Sequence, residues 1–190
     1  MGVIADEVKK CIEVLRSGGV ILYPTDTVWG IGCDASNEAA VKRVFEIKRR
    51  CDSKAMLLLV DNADRIARYV GNVPQVAWDL VELTTKPLTI IYDGARNVAP
   101  ALIAEDGSVG IRVTSEIFSK ELCYRFQRAV VSTSANISGE ATPRNFGEIS
   151  REIIDAVDYV VNFRQQEKGC GKSSSIIKLA ANGAVSIIRE

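Results

Sequence analysis

Apolar residues recur at helical spacing near the start of the chain, with Ile4, Val8, Cys11, Ile12 and Leu15 on one face and Gly18-Gly19 placed to end the helix with a left-handed cap. Val20-Ile21-Leu22-Tyr23 then reads as a short buried strand stopped by Pro24, which has no amide to extend a ladder. Thr25 to Asn37, with glycines at 30 and 32, has loop chemistry, and a second helix is predicted over 38–49. The apolar run Ala55-Met56-Leu57-Leu58-Leu59-Val60 predicts a buried strand, followed by helical patterns near 62–69 and 74–84 and a strand at Leu88-Thr89-Ile90-Ile91-Tyr92. Strands at 109–113 and 129–132 alternate with helices at 116–127 and 146–156. Two last strands, 174–179 and 184–189, flank Asn182-Gly183, a strong hairpin signal.

This alternation predicts an α/β fold with a mostly covered sheet, and the closing hairpin makes that sheet mixed. No repeat, low-complexity tract or linker interrupts it, so the expectation is one domain over residues 1–190. A chain of this length can bury roughly 70% of its unfolded surface and needs no staple. The longest apolar run falls far below the roughly 20 residues of a bilayer-spanning helix. The first ten residues carry charges in helical spacing and no apolar signal core, so a cytoplasmic protein without a membrane segment is expected.

Composition narrows the chemistry. The chain has no histidine, which removes Ser-His-Asp and Cys-His catalysis and His-ligated zinc. Positioning and charge neutralisation by Lys, Arg and a hydrated Mg²⁺ suit phosphoryl or nucleotidyl transfer, which asks little covalent work of the protein. Five cysteines without a C-x-x-C pair imply neither a disulfide framework nor a zinc ribbon, and they read as free thiols. Lys+Arg equals Asp+Glu, so no global field draws in nucleic acid, although Lys42, Arg43, Lys48, Arg49, Arg50 and Lys54 form a dense local cationic run.

Two motifs are decoys. Gly30-Ile31-Gly32-Cys33-Asp34-Ala35 matches G-x-G-x-x-A, but six residues separate it from the preceding strand, where a dinucleotide fingerprint would follow directly. Gly171-Lys172-Ser173 imitates the end of a Walker A loop, yet Gln166 stands where the first glycine belongs and a strand pattern follows instead of a helix.

Three polar segments carry the functional reading. Pro24-Thr25-Asp26-Thr27-Val28-Trp29-Gly30 follows the first strand and places hydroxyls on both sides of an acid. Ligands gather outside strand ends in open α/β sheets, and such hydroxyls can bind a carboxylate or phosphate oxygen. Lys48-Arg49-Arg50 sits at a helix end. Ser132-Thr133-Ser134-Ala135-Asn136-Ile137-Ser138-Gly139 ends a strand in a run of hydroxyls and an amide suited to a phosphate or a base edge.

In this order the three segments resemble the YrdC-like family, with its P-T-[DE]-T-V-[YF]-G-[LI]-G loop, K-x-R step and S-x-N step. The likeness continues through Pro87-Leu88-Thr89, Val109-Gly110-Ile111-Arg112 and Ser174-Ser175-Ile176-Ile177. It implies a twisted open α/β sheet with a concave basic cavity. It also implies the condensation of L-threonine, bicarbonate and ATP to threonylcarbamoyl-AMP, with release of pyrophosphate, for modification of position 37 of tRNA.

Carried onto this sequence, the resemblance assigns Thr27, Arg112, Ser132 and Ser174 to threonine. Arg50, Lys54, Ser134, Asn136, Thr142 and Arg189 fall to ATP, and Lys48 and Arg50 take the catalytic role. ATP enters with Mg²⁺ held mainly by its own phosphates, and no protein metal site is implied. The downstream proteins that transfer the product are expected partners, with tRNA or double-stranded RNA as a candidate. Trp29, Cys51 and Lys86 depart from the family pattern, and Asn is the usual residue at Lys54. The rival readings are a non-catalytic binder of tRNA or double-stranded RNA acting in ribosome maturation, and a YciO-like paralogue with another carbamoyl- or acyl-adenylating activity. The K-x-R and S-x-N steps favour the synthase.

Overall fold

The computed structural model describes residues 2–50, 56–169 and 171–190. Helix α1 (Gly2–Arg16) precedes strands β1 (Ile21–Tyr23) and β2 (Gly30–Gly32), and then come α2 (Glu38–Ile47) and β3 (Leu57–Val60). Two helices, α3 (Ile66–Tyr69) and α4 (Gln75–Leu83), lead to β4 (Leu88–Tyr92) and β5 (Val109–Val113). After α5 (Ile117–Phe126) follow β6 (Val130–Ser134), α6 (Arg151–Ala156), β7 (Tyr159–Val160), β8 (Ser175–Leu179) and β9 (Val185–Arg189). The described strands join in one mixed, open sheet of nine in the order β7-β1-β2-β6-β3-β5-β4-β8-β9.

The expected helices and strands are present with modest changes of boundary. The segment read as a loop over 25–37 contains β2, which runs antiparallel between β1 and β6. Glycine is required there, because a Cβ on Gly32 would lie 2.4 Å from the Val131 carbonyl oxygen and 2.7 Å from the Tyr23 ring. The helix expected over 146–156 is divided into a 3-10 turn, Phe146–Glu148, and α6, which Ser150 caps with its side chain accepting from Ile153 N. The two-residue β7 carries too little pattern to be recognised in the sequence.

Leu58, Val131, Ile90 and Ile111 point to the core face of the sheet and are at most 2% exposed. Helix α1 packs on α5 and is tied to the β7 edge by the buried Glu7, which accepts from Tyr159 Oη and from the Asn162 amide, each at 2.7 Å. Among the described residues no helix is long and apolar enough to cross a membrane.

Candidate functional site

The alternation of side chains along a strand decides what the other face of the sheet presents. Ser132 pairs with Leu57 and Leu57 with Gly110, forming one row, and two residues along β6 on the same face Ser134 pairs with Gly30. A second row runs from Arg112 through Thr89 and Ile176 to Arg189. These residues floor an open cavity of about 320 Å³ whose described lining contains no carboxylate.

One wall is the turn Thr25 to Trp29. Thr25 Oγ1 donates to the Val28 carbonyl at 2.7 Å and accepts from the Thr27 amide at 3.1 Å, which folds the turn on itself. Because that single hydroxyl proton is spent on Val28, Thr27 Oγ1 must be the donor in the 3.0 Å contact with Thr25 Oγ1. Thr27 Oγ1 in turn accepts from Arg112 Nη2 at 3.2 Å. The same nitrogen lies 3.0 Å from Asp26 Oδ1, and Arg112 Nε is buried with no hydrogen-bond acceptor among the described residues. Burial lowers the pKa of Arg112, and the Asp26 charge opposes that shift.

The Lys48-Arg49-Arg50 step is a helix stop with a defined geometry. Arg49 has φ 49°, its amide bonds Glu46 O, and the Arg50 amide bonds Phe45 O, which together make a Schellman motif without glycine. The reversal sends the two flanking cations in different directions. Lys48 turns inward, 1% exposed, and donates through Nζ to Ser134 O at 2.5 Å and Asn136 O at 2.7 Å. Arg50 lines the cavity, with Nη1 3.4 Å from Thr133 Oγ1. Burial, with the Arg50 charge added, pushes the Lys48 ammonium down to about 8.

At the other end, Ser174 Oγ and Thr89 Oγ1 are 2.8 Å apart, and Arg189 donates to Ser174 O from Nε at 3.1 Å and Nη2 at 2.8 Å. Asn136 instead faces its own loop, donating from Nδ2 to Ile137 O and Glu140 O at 2.9 and 3.0 Å.

The cavity therefore gathers the four residues expected for threonine, Thr27, Arg112, Ser132 and Ser174, together with Arg50, Ser134, Thr142 and Arg189 from the ATP set. Lys48 and Asn136 do not line it: Asn136 is buried in the loop that follows Ser134, and Lys48, at the end of α2, is buried behind that loop. Lys54 lies outside the described residues, as do Cys51 and Cys170. The other cysteines, Cys11, Cys33 and Cys123, are buried, and desolvation pushes each thiol up, away from reactivity. Sequence reasoning did not single out Thr89 and Thr133 as lining residues or Asp26 as the counter-ion of Arg112. Strand alternation is the signal for Thr89, which is spaced two residues from Ile91 on the same face.

The family model for Sua5, YciO and YrdC, described as "Telomere recombination", matches residues 13–190. A threonylcarbamoyl-AMP synthase of Pseudoalteromonas translucida is 34% identical over 177 residues, covering 92% of this chain and 93% of its own. One from Hahella chejuensis is 32% identical over 179 residues, covering 94% of this chain and 96% of its own. Among solved structures, E. coli YciO has a TM-score of 0.83 at 25% identity, over 96% of this chain and 88% of that one. P. abyssi Sua5 complexed with L-threonine has a TM-score of 0.81 at 22% identity, a likeness of fold. The chain spans 50% of that protein's length.

Proposed function

The chain belongs to the Sua5/YciO/YrdC family, and from that membership we propose that it is a threonylcarbamoyl-AMP synthase, an adenylylating transferase that joins L-threonine, bicarbonate and ATP and releases pyrophosphate. The observation that carries this reading is the meeting of Arg50, Arg112 and Arg189 with hydroxyls from several strands and loops in one cavity whose described lining holds no carboxylate. The carbamate made from threonine and bicarbonate is an anion that must attack the α-phosphorus of a polyanion. Each like-charge pair at 4 Å and an effective dielectric near 20 costs about 4 kcal/mol, so three fixed guanidinium groups address the main obstacle of the reaction.

Arg112 receives the threonine carboxylate, with its buried Nε as the waiting donor, while Thr27, Ser132 and Ser174 orient the amine and side chain. Arg50, Ser134, Thr142 and Arg189 surround the triphosphate. Lys48 and Asn136 act from behind, shaping the Ser134 loop, so Lys48 is a positioning residue here. Mg²⁺ fits as a passenger on ATP: the described lining offers it no acid, and no cluster of three or more candidate ligands occurs among the described residues. When bound, it neutralises phosphate charge. The product serves tRNA modification in the cytosol, and its reactive mixed anhydride calls for downstream proteins that carry it to tRNA.

The test is pyrophosphate release with threonine, bicarbonate and ATP together and with each omitted in turn. Release should need all three and fall at least a hundredfold in Arg50→Ala. Release indifferent to threonine overturns the substrate assignment and points to a YciO-like activity. Salt-sensitive RNA binding with no release favours the RNA-binding module.

A further inference from the structure

The pairing of β9 with β8 changes register once. Leu179 faces Val185, Lys178 faces Ser186 and Ile177 faces Ile187, but Ile176 faces Arg189, leaving Ile188 as an extra residue in β9. Opposed residues of an antiparallel pair share a face, and a slip of one residue exchanges faces. Ile176 lines the cavity, whereas Ile177 lies on the other face of the strand. Unbroken pairing would set Ile188 opposite Ile176, inside the cavity, and Arg189 opposite Ser175, on the far face. With the bulge, Ile188 is left unopposed on β8 and outside the described cavity lining, and Arg189 joins the row of Arg112 and Thr89.

The geometry points to Ile188 as a register device: its bulge delivers Arg189 to the nucleotide end of the cavity and keeps an isoleucine out. This rests on the reading that Arg189 contacts ATP. Several observations support it. Bulges re-aim side chains beside functional sites. Arg189 is anchored in its new place by the two hydrogen bonds to Ser174 O. No described carboxylate pairs with Arg189, and its charge is close enough to weaken the proton affinity of Arg112, so the two guanidinium groups converge on one anion site.

The test compares Arg189→Ala, deletion of Ile188 and insertion of one alanine between Ile188 and Arg189, with ATP affinity and melting temperature measured on each full chain. Deletion leaves the arginine opposite Ile176 in regular pairing, so ATP affinity should stay within about threefold of the parent. Insertion should move the arginine to the outer face and weaken ATP at least tenfold, as Arg189→Ala should. A merely structural role of the strand end would make deletion and insertion equally harmful. A deletion as costly as Arg189→Ala, or a harmless insertion, overturns the proposal. If a variant fails to fold, cross-strand NOEs between Ile176 and residue 189 in the parent decide the register, and their absence overturns it. If Arg189→Ala leaves ATP affinity unchanged, the contact between Arg189 and ATP falls, and the proposal with it, by a result distinct from a failure of register.

Discussion

Asp26 Oδ1 stands 3.0 Å from Arg112 Nη2, with the two side chains only 6% and 3% exposed. Burial raises the carboxyl pKa of Asp26 and Arg112 draws it back down, so each group depends on the other for its charge. Breaking a buried pair leaves an uncompensated ion, and Asp26→Asn should cost about 3–5 kcal/mol in urea denaturation at pH 7. A carboxylate ligand would supply the missing charge, so saturating threonine should restore more stability to the variant than it adds to the parent. A loss below about 1 kcal/mol, the range of exposed pairs, would mean that water already solvates Arg112.

Gly171 meets the Thr27 turn from outside. A Cβ on Gly171 would lie 1.5 Å from the Thr27 carbonyl oxygen and 2.6 Å from its carbon, so no side chain fits without moving one of the two backbones. Gly171→Ala should displace Thr27 and raise the KM for threonine at least tenfold, with a smaller effect on the KM for ATP. Equal effects on both substrates would place the disturbance elsewhere in the cavity.

Much of this architecture can be read from the chain. The long apolar periods of α1 and α2, the alternation of β4 and β8 and the Asn182-Gly183 turn are strong local signals, and the resulting elements follow them. Three features are not local. β2 owes its strand geometry to β1 and β6 on either side, since Gly-Ile-Gly has little preference of its own. The inward turn of Lys48 depends on a left-handed residue at Arg49, where the usual glycine signal is missing. The cavity-facing placement of Arg189 depends on the Ile188 bulge, and simple alternation puts it on the wrong face.

Arg49 occupies the left-handed position of a helix stop that favours glycine. Its ion pair with Glu152 at 2.6 Å joins side chains that are 67% and 53% exposed, so water and salt screen it. Relief of the backbone conformation should outweigh that pair, and Arg49→Gly should stabilise the fold by about 0.5–1 kcal/mol, measured as a raised denaturant midpoint with unchanged slope. A lowered midpoint would show that the Glu152 contact governs.

Lys48 supplies a prediction in pH. Its ammonium is held between the Ser134 and Asn136 carbonyls, and burial next to Arg50 brings its pKa down to about 8. Below that value it is charged and adds to the positive field behind the Ser134 wall. Above it the neutral amine can still donate to both carbonyls, so the loop keeps its shape while the charge is lost. Arginine does not titrate in this range, and a terminal phosphate, with a second pKa of about 6, has lost nearly all its protons before pH 8. ATP affinity should therefore fall as pH rises through about 8, with no melting of the fold. Lys48→Met should weaken ATP about tenfold at pH 7, because it removes the charge and leaves the two buried carbonyls unsatisfied, and its affinity should be flat from pH 7 to 9. An alkaline decline that persists in Lys48→Met would assign the titration to another group and return Lys48 to a purely structural part.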